Sequence, residues 1–121
     1  MKNKNFIVLA KIDHILFKAE ALDHIAKEEY KEFNDHHNCR FGKWYDIDGK
    51  SQFSHAKSYD EILIPHKEVH DKVIDSIKLL EHDDILKHKT KIKENFIDVE
   101  KNTLVLFNLM DQMLHEQAQI K

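Results

Sequence analysis

The sequence predicts an all-α protein, an antiparallel four-helix bundle with an additional short helix or loop that carries its only cysteine. Apolar residues recur at three- and four-residue steps over most of the chain, the period of helices with one buried face. The 121 residues include only two glycines and one proline, too few turn formers for an all-β architecture. Hydrophobic residues make up 41% and charged residues 34%, a mixture apolar enough to bury a core and therefore unlike a disordered chain. At this length a single domain is expected.

The first helix is expected over residues 5–33. Val8, Ile12, Ile15, Ala19, Leu22, Ala26 and Phe33 follow alternating four- and three-residue steps, broken only at Glu29. Beside them runs a second stripe of Ile7, Ala10, His14, Phe17 and Ala21, in which His14 stands where a hydrophobe would and so points at the core. Residues 34–53 form the one irregular region. Asn34-Asp35-His36-His37-Asn38 and Asp46-Ile47-Asp48-Gly49 supply turn chemistry on either side of Cys39-Arg40-Phe41-Gly42-Lys43-Trp44-Tyr45. Phe41, Trp44 and Tyr45 are expected to anchor this stretch by burying large rings, which positions Cys39.

Helices are next expected over residues 54–88. A short one spans 54–64 with Ser58-Tyr59-Asp60-Glu61 as a capping box, and Pro65 then starts a new helix or kinks a continuing one. His66, Val69, His70, Val73, Ile74, Ile77 and Leu80 line one face beyond it, so both histidines continue an apolar stripe. A final helix over residues 92–117 carries Ile92, Phe96, Val99, Leu106, Met110 and Met113 on one side. The basic stretch between Lys87 and Lys93 reads as a solvated helix end.

A formal net charge of −3 gives no electrostatic reason to expect nucleic acid or an anionic membrane as partner. The apolar run Phe6-Ile7-Val8-Leu9-Ala10 is cut short by Lys11 and Asp13, far below the ~20 apolar residues of a membrane span, so neither a signal peptide nor membrane insertion is expected. A cytoplasmic location follows. One cysteine cannot form an internal disulfide, leaving Cys39 as a free thiol, a ligand or an intermolecular link, and a reducing compartment favours the first two.

Ten histidines are an excess for this length, and position decides which matter. His66 and His70 are four apart, hence one turn apart on one helix face and able to reach the same ion. Each feature alone has an ordinary reading. An HxxxH pair is common, an inward histidine is usually a hydrogen-bonded core residue, and a lone cysteine behaves as a small hydrophobe. Together, two core-facing stripes and one anchored loop supply four ligands: His14, Cys39, His66 and His70. Three imidazoles and a thiolate suit Zn2+, a borderline-soft ion that accepts nitrogen and sulfur in a closed tetrahedron. Asp13, Asp35, Glu68 and Asp71 are the carboxylates near enough in sequence to orient the imidazoles.

His14 with Phe17-Lys18, then Cys39-x-Phe41-Gly42-x-Trp44, then His66-x-x-x-His70, in this order and spacing, resembles the chemoreceptor zinc-binding domain. Phe17 departs from the tryptophan that many members carry, a change expected to alter packing and leave ligation intact. The resemblance implies a regulatory helical bundle rather than an enzyme, attached in bacteria to cytoplasmic chemoreceptors or diguanylate cyclases, with zinc held by His14, Cys39, His66 and His70. It further implies a zinc-bound cysteine that serves as a redox switch toward hypochlorous acid, or a response to zinc itself. The cysteine segment looks most like that of soluble chemoreceptors of the transducer-like protein D type.

Bound zinc keeps a cysteine deprotonated, and the thiolate is the form that attacks oxidants, which supports a switch on chemical grounds as well. The serious alternative is a structural zinc site in an interaction domain, with Cys39 inert to oxidants. A haemerythrin-like di-iron protein finds fragments in His24-x-x-x-Glu28 and His66-x-x-x-His70 but lacks the inward carboxylates on a late helix. In His66-Lys67-Glu68-Val69-His70, Lys67 occupies the place of the HExxH glutamate, and four protein ligands leave no open position for hydrolytic water. Apolar residues on more than one face of the first helix predict a homodimer.

Overall fold

The computed structural model describes residues 2–81 and 85–120, and every regular element among them is helical. The helices are α1 (Lys2–Ala26), α2 (Arg40–Trp44), α3 (Lys50–Phe53), α4 (Lys57–Lys78) and α5 (Ile85–Ile120), with a π-helical turn at Tyr45–Gly49 joining α2 to α3. α4 and α5 form an antiparallel hairpin, since Ser58 at the start of α4 meets Gln112 and Glu116 near the end of α5 while Ser76 meets Asn95. α1 lies along both. Its Lys11 and Lys18 pair with Asp111 and Glu100 of α5, which sets those two helices antiparallel. The composite segment α2 to α3 is the fourth member of the bundle and carries Cys39 at its entrance.

Two apolar clusters hold the helices together. The first joins Ile7 and Ala10 of α1 to Phe41, Tyr45 and Phe53 of the cysteine segment and to Leu106, Met110 and Met113 of α5. The second joins Ala21 and Ile25 to Val69, Val73 and Ile77 of α4 and to Ile92 and Val99 of α5. His14, His66 and His70 are buried in the layer between them. The face of α1 turned inward is therefore the stripe containing Ile7, Ala10, His14 and Ala21; Val8, Ile12, Ile15 and Leu22 on the other stripe are about half exposed.

Several boundaries differ from the expected ones, each for a visible reason. α1 ends at Ala26 instead of reaching residue 33. Glu28 takes a left-handed backbone (φ 55°), the Glu28 amide donates to the Ile25 carbonyl at 3.1 Å, and the Glu29 amide donates to the His24 carbonyl at 2.9 Å. This is a Schellman termination made without the usual glycine. α4 begins at Lys57 and runs through Pro65 without interruption. The capping box is not used: the Ser58 amide and hydroxyl both donate to the Glu116 carboxylate of α5, at 2.9 Å each. α4 stops at Lys78, and Ile85 already opens α5, so the basic stretch from Lys87 belongs to the final helix. The part of the expected 54–88 span at residues 82–84 lies outside the described residues.

Candidate metal centre

The four proposed ligands reach the layer between the clusters from three places: His14 from α1, Cys39 from the start of α2, and His66 and His70 from α4. On α1, His14 is buried, and its Nδ1 is 2.8 Å from the Ala10 carbonyl one turn earlier. A carbonyl accepts only, so Nδ1 must carry the proton, leaving the Nε2 lone pair free. His70 is fixed in the same tautomer by the Asn34 carbonyl, 2.8 Å from its Nδ1. The two free nitrogens face one another at 3.4 Å. His66, one turn before His70 on α4, turns its Nε2 to the Cys39 sulfur at 3.3 Å.

Cys39 is held differently. Its backbone is extended (φ −79°, ψ 162°), and its Sγ caps α2 by accepting from the Gly42 amide at 3.3 Å. Phe41, fully buried, sets its ring edge-on to His66 at 5.1 Å and to His14 at 6.1 Å. Tyr45 and Tyr59 clasp the segment to α4: their rings stack at 4.2 Å, the Tyr59 hydroxyl donates to the Tyr45 carbonyl at 2.6 Å, and the Tyr45 hydroxyl donates to the Tyr59 carbonyl. The anchoring expected of Phe41, Trp44 and Tyr45 is thus in place, with Trp44 between Phe6 and Phe53.

One ligand atom from each of His14, Cys39, His66 and His70 lies within 4.8 Å of the others. A tetrahedral zinc with its usual bond lengths requires about 3.3 Å between nitrogens and about 3.5 Å between sulfur and nitrogen. The His14–His70 and Cys39–His66 separations of 3.4 and 3.3 Å meet that requirement. The donor set therefore fits the ion in composition, and these two separations fit it in size. A cavity of about 220 Å3 lined by Asp13, Phe17, Asn38, Cys39 and His70 leads to it. A larger cavity, about 600 Å3, lies elsewhere, between the start of α1 and the end of α5, and touches none of the four.

Burial keeps the imidazoles neutral, as ligands must be. It pushes His66 down to about 2, helped by His14 and His70, and His70 down to about 4 against the pull of the Asn34 carbonyl. His14 is lowered by the same cause. Burial raises the Cys39 thiol, opposed by the amides of Gly42, Phe41 and Cys39 itself. Without a cation the site thus favours the thiol; the nitrogens are ready for a metal and the sulfur waits for one.

Three of the expected carboxylate partners, Asp13, Asp35 and Asp71, bond to other groups. Asp13 meets Arg40 at 3.2 Å, Asp71 meets Lys67 at 2.6 Å, and Asp35 accepts from the amides of His37 and Asn38 to shape the turn before Cys39. Backbone carbonyls of Ala10 and Asn34 orient His14 and His70 instead. Ala10 had a legible signal, being four residues before His14 on one helix; Asn34 had none. Of the di-iron fragments, His24 has its Nδ1 3.0 Å from the Glu29 carbonyl and Glu28 lies beyond the end of α1, so they present no inward pair.

Residues 14–77, more than half of the chain, match the family profile of the chemoreceptor zinc-binding domain. The chain belongs to that family. The matched stretch begins at His14 and contains Cys39, His66 and His70, so all four clustered donors of this chemoreceptor zinc-binding domain fall inside it. Neither a curated protein nor a solved structure matches the chain.

Proposed function

We propose that this chemoreceptor zinc-binding domain is a single regulatory unit of bacterial signal transduction that binds one Zn2+ through His14, Cys39, His66 and His70, and that Cys39 is its responsive element. The observation that carries the reading is the convergence of one thiol and three neutral imidazoles within 4.8 Å in a layer sealed on both sides by apolar clusters. When bound, zinc holds the sulfur as a thiolate at neutral pH. The Cys39 thiolate then attacks the chlorine of hypochlorous acid, giving a sulfenyl chloride and hydroxide, and water converts this to sulfenic acid and chloride. Sulfur loses two electrons and chlorine gains them.

The oxidised sulfur is a poorer ligand and a poorer cap, so the Cys39–Gly42 bond at the start of α2 weakens along with the site. His14 and His70 keep their carbonyl partners throughout, which confines the change to the cysteine segment. The domain acts as a regulator and not as a catalyst, in the cytoplasm, upstream of a chemoreceptor or cyclase signalling unit. No helix among the described residues is long and apolar enough to cross a membrane. Val8, Ile12, Ile15 and Leu22 form an exposed apolar row along α1, and a second copy of the chain is the partner we assign to it.

The test is zinc content per chain before and during titration with hypochlorous acid. One zinc per chain, held more weakly as Cys39 oxidises, is expected. One zinc per chain with Cys39 inert would leave a structural zinc domain, and iron in its place would contradict the assignment of metal. A monomer at micromolar concentration by analytical ultracentrifugation would remove the dimer.

A further inference from the structure

His36 is a buried imidazole with no assigned role. It is 8% exposed, and its Nδ1 is buried without a hydrogen-bond partner. Buried polar atoms are nearly always satisfied, so an orphaned imidazole nitrogen beside a metal centre needs an explanation. Its ring stands edge-on to His66 with centroids 5.7 Å apart and planes at 87°. The three ligand imidazoles stand to one another at 4.9 to 5.4 Å and 75° to 88°. His36 is thus placed toward His66 almost as the ligands are placed toward each other, one step outside the set of four.

The surrounding contacts keep it there. The Asp35 carboxylate gathers the amides of His37 and Asn38, the His37 ring packs against the His36 ring at 4.0 Å, and the His36 carbonyl lies 3.7 Å from the Cys39 sulfur. Any loss of the sulfur as a ligand opens a position beside this residue. A neutral imidazole has a lone pair to offer and needs neither electrons nor a co-reactant to use it.

We propose that His36 is a reserve ligand: when the Cys39 sulfur leaves the coordination shell, a His36 nitrogen takes the vacated position and converts a three-histidine, one-cysteine site into a four-histidine site. One metal–sulfur bond breaks and one metal–nitrogen bond forms. An anionic donor is replaced by a neutral one, so the site gains one positive charge while the ion stays. The domain would then report loss of the sulfur through the altered cysteine segment without shedding its metal. The proposal rests on the zinc reading above and adds to it the fate of the ion.

The experiment loads Co2+ or Zn2+ alone onto the full chain in four forms: wild type, His36→Gln, Cys39→Ala and the double variant. Wild type and His36→Gln are expected to bind alike, with thiolate-to-cobalt charge transfer. Cys39→Ala is expected to lose that band yet keep one ion per chain and the intense absorption of a four-coordinate site. The double variant is expected to bind at least about tenfold more weakly than Cys39→Ala, with the faint absorption of a hydrated, higher-coordinate ion. Equal affinity and spectra for Cys39→Ala and the double variant would overturn the proposal, as would failure of Cys39→Ala to bind. Should the double variant not fold, nitrogen resonances of Cys39→Ala decide: zinc shifting four histidine rings supports the proposal, and three overturns it. If the wild type itself binds no ion, it is the zinc reading that fails.

Discussion

The three histidines and the cysteine that meet in one layer are held by opposite means. His14, His66 and His70 stand on helices of 25 and 22 residues, and two of them are pinned by carbonyls at 2.8 Å. Cys39 stands at the start of a helix of five residues, which its own sulfur caps. The long helices bury their faces whatever the state of the metal, whereas the order of the cysteine segment depends in part on the sulfur's charge and bonds. A site built this way has a fixed side and a conditional side. On the proposed reading, the first keeps the ion while the second registers chemistry.

The sharpest way to break this contrast is to remove a fixed ligand. His66→Ala is expected to lower zinc affinity by about a hundredfold or more, because a structural zinc contributes roughly 10 to 16 kcal/mol shared among its ligands; competition with a chromophoric chelator measures it. Cys39→Ala should cost distinctly less.

Lowering the pH attacks the same fixed side. Folded His14, His66 and His70 are all held below the 6.5 of an unfolded histidine, so the unfolded chain takes up protons first. The stability of the metal-free protein is accordingly full above pH 6.5 and falls as pH drops below it toward the folded values, by up to about 1.4 kcal/mol per group per pH unit. Urea midpoints at pH 7.5 and 5.0 should show the loss. Equal midpoints would mean that the imidazoles are not kept neutral by burial.

Gly42→Ala strikes the conditional side. A Cβ at Gly42 would overlap the His36 carbonyl oxygen, a backbone atom that cannot turn away. A destabilisation of about 1 to 3 kcal/mol is expected, with weaker metal binding and unchanged contacts between α4 and α5. Amide exchange confined to the cysteine segment would sharpen the contrast; exchange rising throughout α4 would erase it.

Tyr59→Phe removes one hydroxyl of the clasp and keeps the stacked ring, for an expected loss of about 1 kcal/mol in thermal or urea unfolding. Smallest of all, Lys11→Ala breaks an ion pair with the exposed Asp111 and should change stability by about 1 kcal/mol at most.

The fixed side was also the legible one. Apolar steps of three and four residues placed His66 and His70 on the buried face of α4 and His14 on that of α1, because a helix face is a local property of sequence. What escaped depends on backbone or on distance. The stop at Ala26 uses Glu28 in a left-handed conformation that glycine would have advertised. The cap of α4 comes from Glu116, 58 residues beyond Ser58, and no local pattern could announce it. The carbonyls that orient the imidazoles are invisible to any reading of side chains. His36 passed as turn chemistry because it alone of residues 34–38 is buried, against His66 of α4, while its neighbours Asn34, Asp35, His37 and Asn38 stay exposed.

X-ray absorption at the zinc edge of the loaded protein bears most directly on the central claim. Three nitrogen neighbours at about 2.0 to 2.1 Å and one sulfur at about 2.3 Å are the expected result. A shell without sulfur, or one filled by five or six oxygen and nitrogen atoms, would contradict the assignment of His14, Cys39, His66 and His70 as the ligands.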